Sequence, residues 1–451
     1  MDIQYGIGPL IVIILALVGW GVKWKNSSVA IAVWVWLVLA VNGFMSWGAI
    51  IRGNWPDILL FAVNLIAASS ALDGVWFLKE HPTIPVWRYQ VWWALFWASL
   101  MAIVMAQNLM ISWIAIEFST LASGALVVEM AHRRALEAAW KYIVIASVGL
   151  ALALIGIIFV YAGLRFQGLG WDTLNYGNLA RNAHSIPGIV RAVATIFIVS
   201  GIGTKVGLVP FHTWLPDAHS EAPSPVSGLL SGVLLGLSLV TIDRVVRAMP
   251  QPSHTLLSGP HLLILFGILS VSVGSLALLV QRDIKRLLAY SSIEQVGIMA
   301  IGFGIGTPLA REAALLQLLF HAVIKSTLFY LSGHLSSAYH TKRLDKITAI
   351  AAKHKKLAIT WALGILALAG LPPLGLAYSE WMMLEAFWDV HATGLVIFLA
   401  VALAITFAAL SFHLLGGLWG GLELSEGHTA DTEETTRDAR HGTRAMGGEQ
   451  P

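Results

Sequence analysis

The sequence predicts an all-α polytopic membrane protein, and three observations carry that expectation. Only 12% of the 451 residues are Asp, Glu, Lys or Arg, about half the roughly 25% of a soluble domain. Apolar residues make up 57%, more oily surface than a soluble fold of this length could keep from water. Charge-free runs recur at 3–22, 89–116, 142–164, 222–242, 248–281, 357–379 and 390–422, and ~20 residues suffice to cross the hydrocarbon.

Adding segments interrupted by a single charge gives thirteen spans, at 5–22, 29–50, 57–78, 87–106, 109–129, 141–163, 189–209, 224–247, 261–280, 285–305, 311–335, 357–384 and 392–421. The first lacks a basic segment before it, so no cleavable signal peptide is expected. Loop Lys and Arg concentrate after odd-numbered spans, led by Lys342, Arg343, Lys346, Lys353, Lys355 and Lys356. That bias places the odd loops and the carboxyl terminus in the cytoplasm and the amino terminus outside. Residues 423–451 carry seven acids and three Arg with almost no large apolar side chain, leaving the preceding 422 residues at +7. Such a tail cannot offset its ordering entropy by burial, and disorder is expected. The organisation read from this pattern is an amino-terminal segment 1–86, two units 87–247 and 248–422, and the acidic tail 423–451. With no cysteine the chain holds neither a disulfide nor a thiolate-ligated Fe–S cluster. No cofactor is expected in this chain, and any electron transfer belongs to another subunit.

Five ionisable residues fall well inside spans: Glu117 in span 5, Lys205 in span 7, His321 and Lys325 in span 11, and Glu380 in span 12. Charge inside a membrane is costly and marks ion pathways and proton relays, or else inward-facing pairs that hold helices together. A row of buried Glu, Lys and His is what a proton relay requires. Asp243, beside Arg244, and Glu294, near a helix end, stand as second-rank relay candidates.

Two of these charges adjoin helix breakers. Lys205 lies five residues before Pro210, and Glu380 follows Pro372 and Pro373 flanked by Gly370 and Gly375. Proline removes a backbone donor and clashes with the preceding turn, so spans 7 and 12 should break within the membrane. Broken spans five apart match two five-helix units, spans 4–8 and 9–13. An odd number of spans per unit makes consecutive copies inverted, an architecture common among ion-coupled transporters.

The segment GTKVGLVPFHTWLPDAHSEAPSP at 203–225 resembles the proton-translocating antiporter-like subunits of respiratory complex I and its relatives. Around it stand WIAIEFSTLASGALV at 113–127, EAAWKYIVIASVGLALAL at 137–154, QRDIKRLLAYSSIEQVGIMAIGFGIG at 281–306, HAVIKSTLFYLSGHL at 321–335 and LAGLPPLGLAYSEW at 368–381. The blocks follow the family's order, and AAWKY, QRDIKR and AYSSIEQVG are most similar to its hydrogenase-4 and formate hydrogenlyase membrane type. The resemblance implies that Glu117 modulates Lys205 at the middle of a first half-channel. It also implies that His321 and Lys325 form the H-x-x-x-K of the second, and that Glu380 is the terminal acid of span 12. Its implied setting is a prokaryotic cell membrane, with other antiporter-like subunits and a soluble hydrogenase, Fe–S or quinone-reducing module as partners and protons as cargo. Readings as a multisubunit cation/proton antiporter, an inorganic-carbon uptake subunit or a non-conducting scaffold stay open beside it. In two places the chain departs from the family: Gly236 replaces the lysine of span 8, and a fourteenth span expected after residue 421 is replaced by the tail.

Other signals point to bland roles. His212, His219, Asp217 and Glu221 in a Pro-rich turn fit backbone fixation better than a metal site. GFGIG at 302–306 lacks the strand-helix unit of a nucleotide site. The nineteen Trp suit interfacial belts, and nothing points to nucleic acid.

Overall fold

The computed structural model describes residues 37–38, 40–41, 54–250 and 258–420. Spans 5–22 and 29–50 (apart from those four residues) and the tail lie outside the described residues. Within them every regular element is helical, and the principal helices are α1 Trp55–Glu80, α2 Val86–Met105, α3 Leu109–Val128, α4 Arg133–Arg165, α5 Tyr176–Asn182, α6 Gly188–Val206, α7 Trp214–Glu221, α8 Ser224–Ala248, α9 Gly259–Leu278, α10 Ile284–Ile305, α11 Pro308–Tyr339, α12 Lys355–Leu368, α13 Gly375–Asp389 and α14 Thr393–Trp419. Counting α6 with α7 as one, nine helices among the described residues are long and apolar enough to cross a membrane.

Local chemistry starts these helices. Asn54 and Asn108 accept from the Asp57 and Met110 amides, and Asp283 accepts from the amides of Lys285 and Arg286, satisfying orphan first-turn donors. His132 caps α4, its Nδ1 accepting from the Ala135 amide at 3.1 Å, so α4 begins eight residues ahead of the predicted 141. Thr307 caps α11, accepting from the Ala310 amide at 3.2 Å, with Pro308 at the first helical position.

Both predicted breaks are present. Helix α6 stops at Gly207, whose φ of 79° suits a residue without Cβ, and Pro210 follows. The backbone freed there is buried and therefore needs partners. Trp214 Nε1 donates to the Thr204 carbonyl at 2.8 Å, and the Val209 amide donates to Ser270 of α9 at 2.9 Å. The second break runs from Gly370, at φ 71°, through Pro372 and Pro373 to α13.

Helix α8 is wholly enclosed, with a π-helical stretch at Leu230–Leu234, and packs against α1, α6 and α11. Glycines bring backbones together where that packing is tightest. A Cβ on Gly201 of α6 would meet the Gly149 carbonyl of α4 at 2.5 Å, and one on Gly297 of α10 would meet the Gly267 carbonyl of α9 at 2.9 Å. Close approach through small residues substitutes for the hydrophobic drive that lipid does not supply.

Candidate functional site

Helix α6 carries Lys205 just before its break, so the ammonium sits where the helix dipole favours a cation. It is fully buried. Its Nζ donates to Thr120 of α3 at 2.8 Å and to the Tyr142 hydroxyl of α4, and lies 4.6 Å from the Tyr142 ring centroid. Tyr142 is also 2.7 Å from Ser123 of α3. Glu117, half-buried one turn before Thr120, accepts from Ser147 of α4 at 2.8 Å, and its other oxygen has no partner. Thus Lys205 and Glu117 share a neighbourhood on α3 and α4, but hydroxyls occupy the ammonium.

The second cluster radiates from α10, whose SSIEQ at 291–295 sends polar side chains to four other helices. Ser291 and the Leu288 carbonyl accept from Lys325 of α11, the latter at 2.6 Å. Ser292 meets Ser231 of α8 at 2.7 Å. Glu294 accepts from Thr406 of α14 at 2.7 Å and keeps one oxygen unpartnered. Gln295 bonds Gln317 of α11, and both amides donate to Glu380 of α13 at 3.4 Å. Ser379 donates to Gln317. Lys325, Glu294, His321 and Glu380 are buried, and both His321 ring nitrogens lack partners.

The remaining candidates lie apart from these clusters. Asp243 pairs with Arg247 and with Arg311, each at 3.0 Å, near the end of α8. Its neighbour Arg244 donates to the last carbonyls of α2, including Val104 at 3.1 Å. Gly236 leaves no room for a longer side chain in place, since a Cβ there would meet Leu318 at 2.7 Å. Asp217 pairs with Lys141 at 3.4 Å and Arg286 at 3.2 Å, and Glu221 with Lys342 at 3.2 Å. These ion pairs surround a polar cleft of about 450 Å³ at the loop face. His219 stacks on Phe329 with centroids 4.7 Å apart.

Sequence reasoning passed over Thr120, Tyr142, Ser291, Gln295, Gln317 and Thr406 because they carry no charge. The signal that could have found them is helical spacing: Thr120 follows Glu117 by one turn, and Gln317 precedes His321 by one.

Residues 106–406, which hold every one of these polar contacts around Lys205, Lys325 and Glu380, match the family described as NADH:quinone oxidoreductase/Mrp antiporter, transmembrane. The chain belongs to this family. It is 38% identical over 311 residues to the Hydrogenase-4 component F homolog of Methylacidiphilum infernorum, covering 69% of this chain and 65% of that protein. Against NADH-quinone oxidoreductase subunit N of Desulforudis audaxviator it is 30% identical over 310 residues, 68% of this chain and 60% of the other. The chain thus spans less than two thirds of the length of these curated relatives. Its fold is similar to a chain of the archaeal membrane-bound sulfane sulfur reductase, with a TM-score of 0.83 at 21% identity over 92% of this chain and 88% of that one. It is also similar to a chain of the Mrp complex from Dietzia sp. DQ12-45-1b, with a TM-score of 0.79 at 18% identity over 93% and 81%.

Proposed function

We propose that this chain is the proton-translocating membrane subunit of a redox-driven complex of the membrane-bound hydrogenase or NADH-quinone oxidoreductase kind. It works beside other antiporter-like subunits and a separate soluble redox module. The observation that carries this reading is the pair of buried lysines, Lys205 and Lys325, whose hydrogen bonds go to hydroxyls and a carbonyl. Among the described residues no salt bridge locks either ammonium, so small movements beside it can change its hold on a proton. Moving one proton across 100 mV requires about 2.3 kcal/mol, and a hydrogen bond to a charged group contributes roughly 1.5 to 3 kcal/mol. Rearranging one or two of these bonds is therefore enough to match the work.

In this reading Glu117, Ser147, Tyr142 and Lys205 make the first half-channel, within 87–247. His321, Lys325, Glu294, the two glutamines and Glu380 make the second, within 248–422. The thirteen-span topology, inverted repeats and cytoplasmic tail belong to the same proposal. The identity to the hydrogenase-4 component F homolog favours it over a sodium/proton antiporter. In vesicles carrying the intact complex, Lys205→Ala and Lys325→Ala should each lower redox-driven proton uptake by tenfold or more, with no requirement for sodium. Full uptake in both variants would reject the proposal, and uptake that ceases without sodium would favour the antiporter.

A further inference from the structure

We infer that Asp73 and His334 form a proton-loading pair on the seam between α1 and α11, fed from an adjacent pocket at the loop face. The inference rests on the proposed proton transport and goes beyond the relay residues. His334 Nε2 lies 3.0 Å from Asp73 Oδ1. The Asp73 side chain is 8% exposed, and its second oxygen is buried without a partner. The imidazole is a third exposed and lies against the Trp76 ring at 3.8 Å between centroids.

A pocket of about 320 Å³ is lined by Trp76 and by Gly333 and Ser336, which flank His334. That volume holds several waters at ~30 Å³ each. The Ser336 hydroxyl is buried with no partner. Glu80, Glu221, Lys285 and Lys342 also line the pocket, as do His81 and His340. It therefore opens beside the basic loop that the charge bias assigns to the cytoplasm.

Tyr89 of α2, Tyr330 of α11 and Lys285 of α10, the last on the pocket wall, lie within electrostatic reach of Asp73. The Tyr89 hydroxyl sits 3.6 Å from where a Cβ on Gly74 would be, and has no hydrogen-bond partner. Tyr330 meets Ser69 of α1 at 3.2 Å, just over one turn along α11 from Lys325. The Tyr330 and Ser69 hydroxyls thus continue the α1–α11 seam one turn inward from the pair. A proton arriving from pocket water binds the imidazole, the Asp73 carboxylate balances the charge, and the same proton leaves toward the seam hydroxyls.

The test is the pH dependence of redox-driven proton uptake by the intact complex in vesicles. Asp73→Asn preserves a hydrogen bond to His334 but removes the anion. It should lower uptake severalfold and change its pH profile, because the anion that balances a protonated imidazole is gone. His334→Gln should abolish that pH dependence and lower uptake about tenfold. A bond that only joins α1 to α11 would leave the profile in place in whichever variant assembles, and that result overturns the inference. Lys205→Ala serves as the control. If it and Lys325→Ala also transport normally, the proposed function fails. If it is inactive while both pair variants keep the wild-type profile, only the pair is rejected.

Discussion

Tyr142 ties the first cluster together although its side chain is neutral. Its hydroxyl meets both Lys205 and Ser123, and its ring carries the ammonium on one face. Removing that hydroxyl takes away one of two hydrogen bonds to Lys205, about 1.5 to 3 kcal/mol for a charged donor. Tyr142→Phe should therefore leave assembly intact and slow proton uptake roughly tenfold, with Thr120 still holding the lysine. An unchanged uptake rate would remove Tyr142 from the relay. This residue also marks what was legible in the sequence. Lys205, Lys325 and Glu380 stand out because a charge in a long apolar run has no cheap explanation. Tyr142, Gln295 and Gln317 do not, because neutral polar side chains in membrane helices are ordinary. Asp73 and His334 carry the same kind of signal as the five candidates, but each lies within two turns of a helix end, where a charge can be solvated at little cost.

At the scale of elements, α10 organises the second half and the two breaks position its ends. Asp283 starts α10 and Gly306 stops it, so SSIEQ faces α8, α11, α13 and α14 from mid-helix. The breaks were readable from proline and glycine, since few residues tolerate what those positions require. The π-helical stretch in α8 was not; it lies where α8 closely approaches α11, since a Cβ on Gly232 would meet the Ala322 carbonyl at 2.9 Å. Short helix α5 was hidden in the predicted loop after span 6, as seven residues leave too little periodicity to read. Gly370 gives the second break a specific test. Its φ of 71° disfavours a side chain, and a Cβ there would collide with a Glu380 oxygen. Gly370→Ala should lower the thermal midpoint of the purified complex and reduce proton uptake to near the level of Glu380→Gln. A variant with normal stability and uptake would mean that the break does not position Glu380.

Across the whole molecule, hydroxyls, amides and carboxylates form two clusters on either side of enclosed α8, and Gly236 with Leu318 fills the place where the family resemblance leads one to expect a lysine. The fold class followed from composition and charge gaps because hydrocarbon leaves the backbone little choice but helix. How the clusters connect did not follow, because neighbours across α8 are set by tertiary packing rather than sequence spacing. In the proposed function protons cross through both clusters while the electrons stay in another subunit. The most direct test is the ratio of protons moved to electrons transferred by the intact complex in sealed vesicles, for wild type, Lys205→Ala and Glu380→Gln. The ratio should fall in both variants, with the partner's redox activity partly retained. An unchanged ratio in both would contradict proton transport through this chain and leave it a scaffold.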